Sequence, residues 1–352
     1  MAKNKKSTSK LKSILLLSTG IIGLACFLFG YHFYSYIYLS NVDIEKESVL
    51  FVIPTGSDYE FVSNSLITEG IIKNQESFDW VSHQKKYTQN VKPGRYKIEN
   101  NWSNSDLINH LRLAGNSVPV KVTFHNISRL TQLAGIVSQQ IEADSTELMH
   151  AFLDPEWLKE KGLTKETAQA VFIPNTYEVY WNTSGKQFTI RMYQEFDRFW
   201  TVERKALAKQ IGLSPVKVSN LASIVEAETK KTDEMPKVAG LYLNRLKIGM
   251  RLQSDPTVVF AINRKNVHRV YTADLKVESP YNTYIHAGLP PGPVGFPSKK
   301  ALLAVINPYE SSYLYMCAKP DYSGYHNFAK SYSQHQKYAA QYHRFLRKEG
   351  IR

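Results

Sequence analysis

The sequence predicts a mixed helix-and-strand protein behind one N-terminal membrane helix, with a small αβ module ahead of a larger domain. Three observations predict this arrangement. Residues 13–40, SILLLSTGIIGLACFLFGYHFYSYIYLS, contain no Asp, Glu, Lys or Arg, and about 20 such residues suffice to cross a hydrocarbon core. Short strand and helix patterns alternate over residues 49–119. From residue 120 onward helical periodicity dominates, opened by the alternating strand VPVKVTF. A chain of 352 residues has room for one large or two modest domains with a real core.

The apolar run reads as an uncleaved anchor over residues 13–40. A secretory signal has a shorter core and a small-residue cleavage site, whereas this run ends in Tyr31, Phe33, Tyr34, Tyr36 and Tyr38, residues suited to a membrane interface. GLAC, residues 23–26, is set aside as a lipoprotein signal because the apolar run continues past Cys26. Lys3, Lys5, Lys6, Lys10 and Lys12 mark residues 1–12 as a cytoplasmic basic tail, which places the rest outside the cytoplasmic membrane. The formal net charge of +13 suits nucleic acid, a membrane surface or an anionic polymer, and the predicted location argues against nucleic acid. The only cysteines are Cys26 and Cys317, one in the anchor and one in the body, so no disulfide framework is available.

Within residues 49–119 the elements follow from local signals. VLFVIP is a strand, a turn follows at Gly56, and a helix begins at Tyr59. A second helix covers about 76–86, and GRYKI is a strand. NWSNSDLINHLRLAG is a capped helix, with Ser103 or Ser105 as N-cap and Gly115 as its stop. The larger domain, residues 120–348, then shows helical patterns over 129–141, 145–152 and 188–211, and another starting near Pro236, a favoured first helical residue. Residues 252–297 are rich in Pro, Gly, Asn and Tyr and read as functional loops. From Ser333 a basic surface helix runs to a stop at Gly350.

The stretch SNLASIVEAET carries the main chemical signal. At about 100° per residue, Val218, Leu221, Ile224 and Val225 share one arc, and Glu228 falls inside it. Glu226 is turned away, because positions two apart face different directions; it remains the alternative acid if the helix phase shifts near its end. Two readings of Glu228 stand at this point. It is either a core-edge glutamate paired with a base, or a general acid whose burial raises its pKa and keeps a proton on it. There is no G-x-S-x-G elbow, phosphate loop or H-E-x-x-H. His326 and His335 match no compact zinc spacing, so no metal or cofactor is expected, and His286 and His343 read as surface or packing residues.

LASIVEAET, PKVAGLYLNRLKIGMRLQSDPTVVFAI, SPYNTYIHAGLPPGPVGFPSKKALLAVINP and YLYMCAKPDYSGYHNFAKSYSQH, in that order, resemble the successive blocks of the MltG (YceG-like) family of membrane-anchored endolytic murein transglycosylases. VFIPNTYEVY resembles a further block. The resemblance spans residues 50–343 and implies an α+β fold, with a LysM-like module at 49–119 and a larger mixed α/β catalytic domain at 120–348. It implies Glu228 as catalytic acid, from the second acidic residue of E-x-E-T. The implied reaction is lytic cleavage of the MurNAc–GlcNAc bond in nascent peptidoglycan strands, leaving 1,6-anhydro-MurNAc ends and terminating glycan elongation.

Softer expectations accompany this resemblance. Gln253, Ser254 and Asp255 are expected to hydrogen-bond sugar groups, with Ser254 or Asp255 as a helix cap the competing reading. Tyr281, Asn282 and Tyr284 are expected to meet saccharide faces and edges, against plain loop packing. His326 is expected to orient a polar group across the cleft, and GLPPGP, residues 288–293, to shape a wall. One carboxyl suffices because the attacking group is the sugar's own 6-hydroxyl, and no second acid is obvious near Glu228. The chain departs from the family pattern at Asn175, where an acidic residue is usual, and in TFHNISRL, which lacks a Glu-Gly turn. Expected partners are peptidoglycan glycan strands, the cytoplasmic membrane and peptidoglycan synthases. Rival readings are a non-catalytic membrane-tethered peptidoglycan-binding protein and a zinc amidase or peptidase.

Overall fold

The computed structural model of the chain describes residues 4–263 and 270–350, with side chains from residue 12 onward. The first three residues of the basic tail, and the side chains of Lys5, Lys6 and Lys10, lie outside the described residues. The chain divides into two compact units, Met1–Val120 with Tyr180–Asn182, and Lys121–Val179 with Thr183–Arg352.

The first unit opens with α1 (Asn4–Tyr38). Its stretch Lys12–Tyr38 is long and apolar enough to cross a membrane, and Leu16, Leu17, Phe27 and Phe29 stand more than half exposed along it. At 1.5 Å per residue, 27 residues reach about 40 Å, more than the ~30 Å of a hydrocarbon core. Strand β1 (Ser48–Ile53) pairs antiparallel with β2 (Gly94–Glu99), placing Phe51 opposite Tyr96. Helices α2 (Tyr59–Thr68), α3 (Gln75–Gln84) and α4 (Asn104–Leu111) start at Asp58, Asn74 and Ser103, whose side chains accept from backbone N–H groups of the first turn. Such caps satisfy donors that the helix itself cannot. Val62, Leu66, Phe78, Val81, Leu107 and Ile108 bury against both strands.

The end of α1 belongs to this core. Tyr36 and Ile37 pack on it, and Phe33 lies 4.8 Å from Trp80 between ring centroids. Buried Asn104 donates to the Tyr36 carbonyl at 2.9 Å and accepts from Asn41 at 2.7 Å. Ser103, rather than Ser105, is the N-cap of α4, and Gly115 is not its stop. The helix ends at Leu111 because the apolar arc of Leu107, Ile108 and Leu111 ends there; Leu113 is extended and exposed.

The second unit is mainly helical. Strand β3 (Pro119–Phe124) is followed by α5 (Leu130–Ser138), α6 (Ser145–Phe152) and α7 (Pro155–Glu160). Strand β4 (Asn175–Tyr180) pairs with β3, and Phe124 stacks on Tyr177. Asn126 supplies the left-handed turn after β3 at φ +53°, a conformation Asn tolerates better than most residues, which accounts for the missing glycine there. The single helix expected over 188–211 is two, α8 (Gly185–Phe199) and α9 (Val202–Gln210). Trp200 leaves helical geometry to bury its ring, and Thr201 caps the new helix by accepting from Arg204 N–H.

Helix α10 (Pro215–Glu228) is enclosed on all sides, every residue from Val218 through Val225 being buried. It packs against α11 (Met235–Lys247), α12 (Asp255–Ile262) and α13 (Lys299–Ile306). Its polar members are bonded: Ser219 donates to Ala170 O and Asn220 to Pro290 O. The last of these pins GLPPGP beneath the helix, where a Cβ on Gly292 would fall 1.9 Å from the Glu166 carbonyl. The chain closes with the antiparallel hairpin of β5 (Tyr315–Ala318) and β6 (His326–Ala329), then α14 (Tyr332–Lys348), which buries none of its residues.

Candidate active site

Glu228 is the last residue of α10. It lines a cavity of about 210 Å³ together with Tyr242 and Arg245 from α11, Gln253, Asp255, Tyr284, and Cys317 and His326 from the hairpin. Two hydroxyls converge on one of its oxygens. Tyr242 donates to Oε1 at 2.7 Å, and the Ser254 hydroxyl donates to the same atom. Among the described residues none is bonded to Oε2, which is therefore the oxygen free to carry a proton into the cavity.

Burial pushes the Glu228 carboxyl above the usual carboxylate range. The bonds from Ser254 and Tyr242 oppose this, the Asp255 charge adds to it, and His326 opposes it more weakly. The C-terminal end of a helix also disfavours a negative charge. Tyr242 is itself buried, and burial together with Glu228 raises its phenol well above the usual value; it stays a donor. Burial likewise raises the thiol of Cys317, which keeps it neutral and a poor nucleophile.

Glu226 turns elsewhere. Its Oε2 accepts from Ser298 N–H at 2.6 Å at the start of α13, and it lines a different cavity with Pro174, Lys230 and Lys299. Asn175 is exposed and absent from the lining around Glu228.

The other predicted positions separate into two groups. Gln253, Asp255, Tyr284 and His326 line the cavity, and Ser254 reaches it through Glu228. Gln253 takes a left-handed backbone at φ +50° and donates its N–H to Thr283 O. This turn delivers Ser254 to the site. Ser254 occupies the N-cap position of α12 but makes no side-chain cap bond, so its hydroxyl belongs to Glu228. Asp255 accepts from the Tyr284 hydroxyl at 2.6 Å. It is a second acid in the cavity of Glu228, where the sequence showed no obvious one.

Tyr281 and Asn282 fall outside this lining. Tyr281 packs on Phe260 with centroids 4.7 Å apart. Asn282 is fully buried, donating to Leu275 O and Val277 O and accepting from Tyr284 N–H. It organises the loop that holds Tyr284.

Sequence reasoning missed Tyr242, Arg245 and Glu234. The first two were available from the same logic that found Glu228, because Val238, Leu241, Tyr242 and Arg245 follow the i, i+3, i+4, i+7 spacing of a buried helical face. Arg245 is buried and donates to Leu314 O and Leu252 O, each at 2.6 Å. It thereby joins α11 to the hairpin and to the turn before Ser254. Gly240 lets α11 approach the chain at Tyr309, where a Cβ would meet the carbonyl at 2.4 Å. Glu234 had no local signal: its partners, Thr229 and His326, are 5 and 92 residues away. Among the described residues no three His, Cys, Asp or Glu side chains gather as metal donors. His326 is committed to Glu234, and His335 stacks on Tyr315.

These features define an α+β protein with one candidate membrane span and a half-buried carboxyl acid set in a polar cavity. Residues 51–341 match the YceG-like family, and the chain belongs to it. It is similar to a protein named endolytic murein transglycosylase from Bacillus subtilis (strain 168), 26% identical over 318 residues, covering 85% of this chain and 87% of the relative. A protein of the same name from Streptococcus pneumoniae (strain ATCC BAA-255 / R6) is 27% identical over 321 residues, covering 82% of this chain and 58% of the relative. Among solved structures, a yceG-like protein from Listeria monocytogenes is similar at a TM-score of 0.55 and 26% identity, over 83% of this chain and 99% of that one.

Proposed function

We propose that the chain is a membrane-anchored lytic transglycosylase that cuts peptidoglycan strands internally, with Glu228 as its single acid and base. The observation that carries this reading is the asymmetry of the Glu228 carboxyl, which receives Tyr242 and Ser254 on Oε1 and keeps Oε2 unbonded among the described residues. In the first step Oε2 protonates the oxygen linking N-acetylmuramic acid to N-acetylglucosamine as the C1–O bond breaks. The carboxylate left behind is stabilised by the two hydroxyl donors. In the second step it takes the proton from the 6-hydroxyl of the same muramic sugar as that oxygen closes on C1. A 1,6-anhydro end results, a 4-hydroxyl is released on the other sugar, and no water is consumed. Attack from within the ring system benefits from high effective molarity.

The remaining assignments belong to the same reading. Gln253, Asp255, Tyr284 and His326 hold sugar hydroxyl and acetamido groups, Ser254 acts through Glu228, and Tyr281 and Asn282 shape the adjoining loop. The module at 49–119 is LysM-like and binds glycan near the cytoplasmic membrane, with α1 as a single-pass anchor, N-terminus inside and the 120–348 domain outside. There the enzyme works beside peptidoglycan synthases and ends strand elongation. The names of the relatives from Bacillus subtilis and Streptococcus pneumoniae support the choice of peptidoglycan as substrate.

The presence of Asp255 in the cavity favours one second reading, a two-carboxylate hydrolase in which Asp255 activates water. Digesting newly polymerised glycan with the full chain in detergent, and weighing the fragments, separates the possibilities. Anhydro ends that disappear with Glu228→Gln support the lytic reaction. Reducing ends indicate the hydrolase, and intact strands indicate a tether.

A further inference from the structure

Glu234 is almost fully buried and lies outside the residues lining the Glu228 cavity, yet two donors and an imidazole nitrogen converge on it. Its Oε1 accepts the backbone N–H of His326 at 2.8 Å, and its Oε2 accepts Thr229 Oγ1 at 3.1 Å. The same Oε2 lies 2.8 Å from His326 Nδ1. Thr229 is the residue directly after Glu228 and caps the end of α10. One carboxylate thus ties the end of the Glu228 helix to the first residue of β6. Because Nδ1 is spent on Glu234 while the ring lines the cavity, the nitrogen left for the cavity is Nε2.

We propose that Glu234 is a positioning residue that acts through His326, holding the imidazole with its proton on Nδ1 so that Nε2 accepts a hydrogen bond from a hydroxyl or acetamido N–H of the bound glycan. A buried carboxylate beside an imidazole fixes both the ring orientation and the tautomer, since it accepts and cannot donate. The glutamine isostere removes that bias, because its amide donates to Nδ1 and moves the imidazole proton to Nε2. The inference rests on the lytic reading for its kinetic consequence and on geometry alone for the tautomer.

The test uses the full chain in detergent. Histidine nitrogens are observed by 15N NMR at alkaline pH, with His326→Ala used to assign the signal. The expected spectrum shows Nδ1 protonated in the unaltered protein and Nε2 protonated in Glu234→Gln. Anhydro-end formation by Glu234→Gln is expected to fall about 10- to 100-fold in kcat, the range measured for carboxylates that orient metal-bound histidines, with KM changed less than about threefold. In a His326→Ala background the same Glu234 substitution is expected to cost less than twofold. A further loss there equal to that in the unaltered background, or an Nε2-protonated ring in the unaltered protein, overturns the proposal. Absence of anhydro products from every variant removes the lytic reading instead and leaves the tautomer result to decide the geometry.

Discussion

Ser254 sits at the N-cap of α12 but gives its hydroxyl to Glu228 Oε1, 26 residues earlier in the chain. A serine there ordinarily satisfies its own helix, a contribution of roughly 1 kcal/mol. Here that capping bond is forgone and the hydroxyl stabilises the charged form of a half-buried acid.

Ser254→Ala removes one of the two bonds that lower the Glu228 pKa. The carboxyl becomes harder to ionise, so the limb of the pH-rate profile belonging to Glu228 moves to higher pH. A hydrogen bond to a charged group contributes about 1.5–3 kcal/mol, which corresponds to roughly one to two pH units. Tyr242→Phe should shift the limb in the same direction. Profiles of anhydro-end formation for the two variants check this, and a shift to lower pH would contradict it.

Glu228→Gln should abolish turnover and change the pH dependence of stability. The folded carboxyl has a raised pKa, so both states hold the proton below about pH 4.3, the unfolded value. Above it the unfolded chain loses its proton first, and stability falls as pH rises through the folded pKa. Glutamine has no such dependence. Thermal midpoints of the variant minus those of the unaltered protein should therefore grow from pH 4 upward and level off once the folded carboxyl has ionised.

Gly240→Ala places a methyl 2.4 Å from the Tyr309 carbonyl. Overpacking of this kind costs about 1–3 kcal/mol. Because α11 carries Tyr242 and Arg245, the helix shift should lower kcat along with the melting temperature, as calorimetry and fragment analysis on the same preparation will show.

Asn104→Ala takes a donor from the Tyr36 carbonyl and the Ser77 hydroxyl and the acceptor from one N–H of the Asn41 amide, whose nitrogen keeps its bond to Asn74 O. Buried unpaired groups cost about 1–3 kcal/mol each, so urea unfolding of the first unit should move to a lower midpoint while cleavage by the second changes little.

Much of this was readable in advance where a local rule decides the outcome. The apolar strand through Phe51 and the helix capped at Ser103 follow from β-branched patterning and capping chemistry, while the cap at Asp58 was not read. Glu228 was found from its place on an apolar arc, although α10 proves to be buried on every side; what singles it out is that its neighbours across the cavity are hydroxyls. The sequence was misleading where tertiary packing overrides periodicity. Phe196, Phe199 and Trp200 look like one continuing helical face, yet Trp200 breaks the helix to bury its ring. Residues 252–297 read as loop, with a helix cap at Ser254 or Asp255 as the competing reading there; α12 does begin at Asp255, behind Ser254 in the N-cap position, with Pro256 in the first turn where its missing N–H costs nothing. Tyr281, Asn282 and Tyr284 are near neighbours in sequence, but only Tyr284 reaches the cavity, since chain proximity in a loop does not fix side-chain direction.

Tyr36 and Ile37 pack on the core of the folded module and Asn104 bonds the Tyr36 carbonyl, which ties the apolar rod to that module. If the rod spans a bilayer thinner than it is long, it leans, and the attached module leans with it. Lipid thickness would then act as a mechanical input, setting which face of that module looks toward the membrane surface.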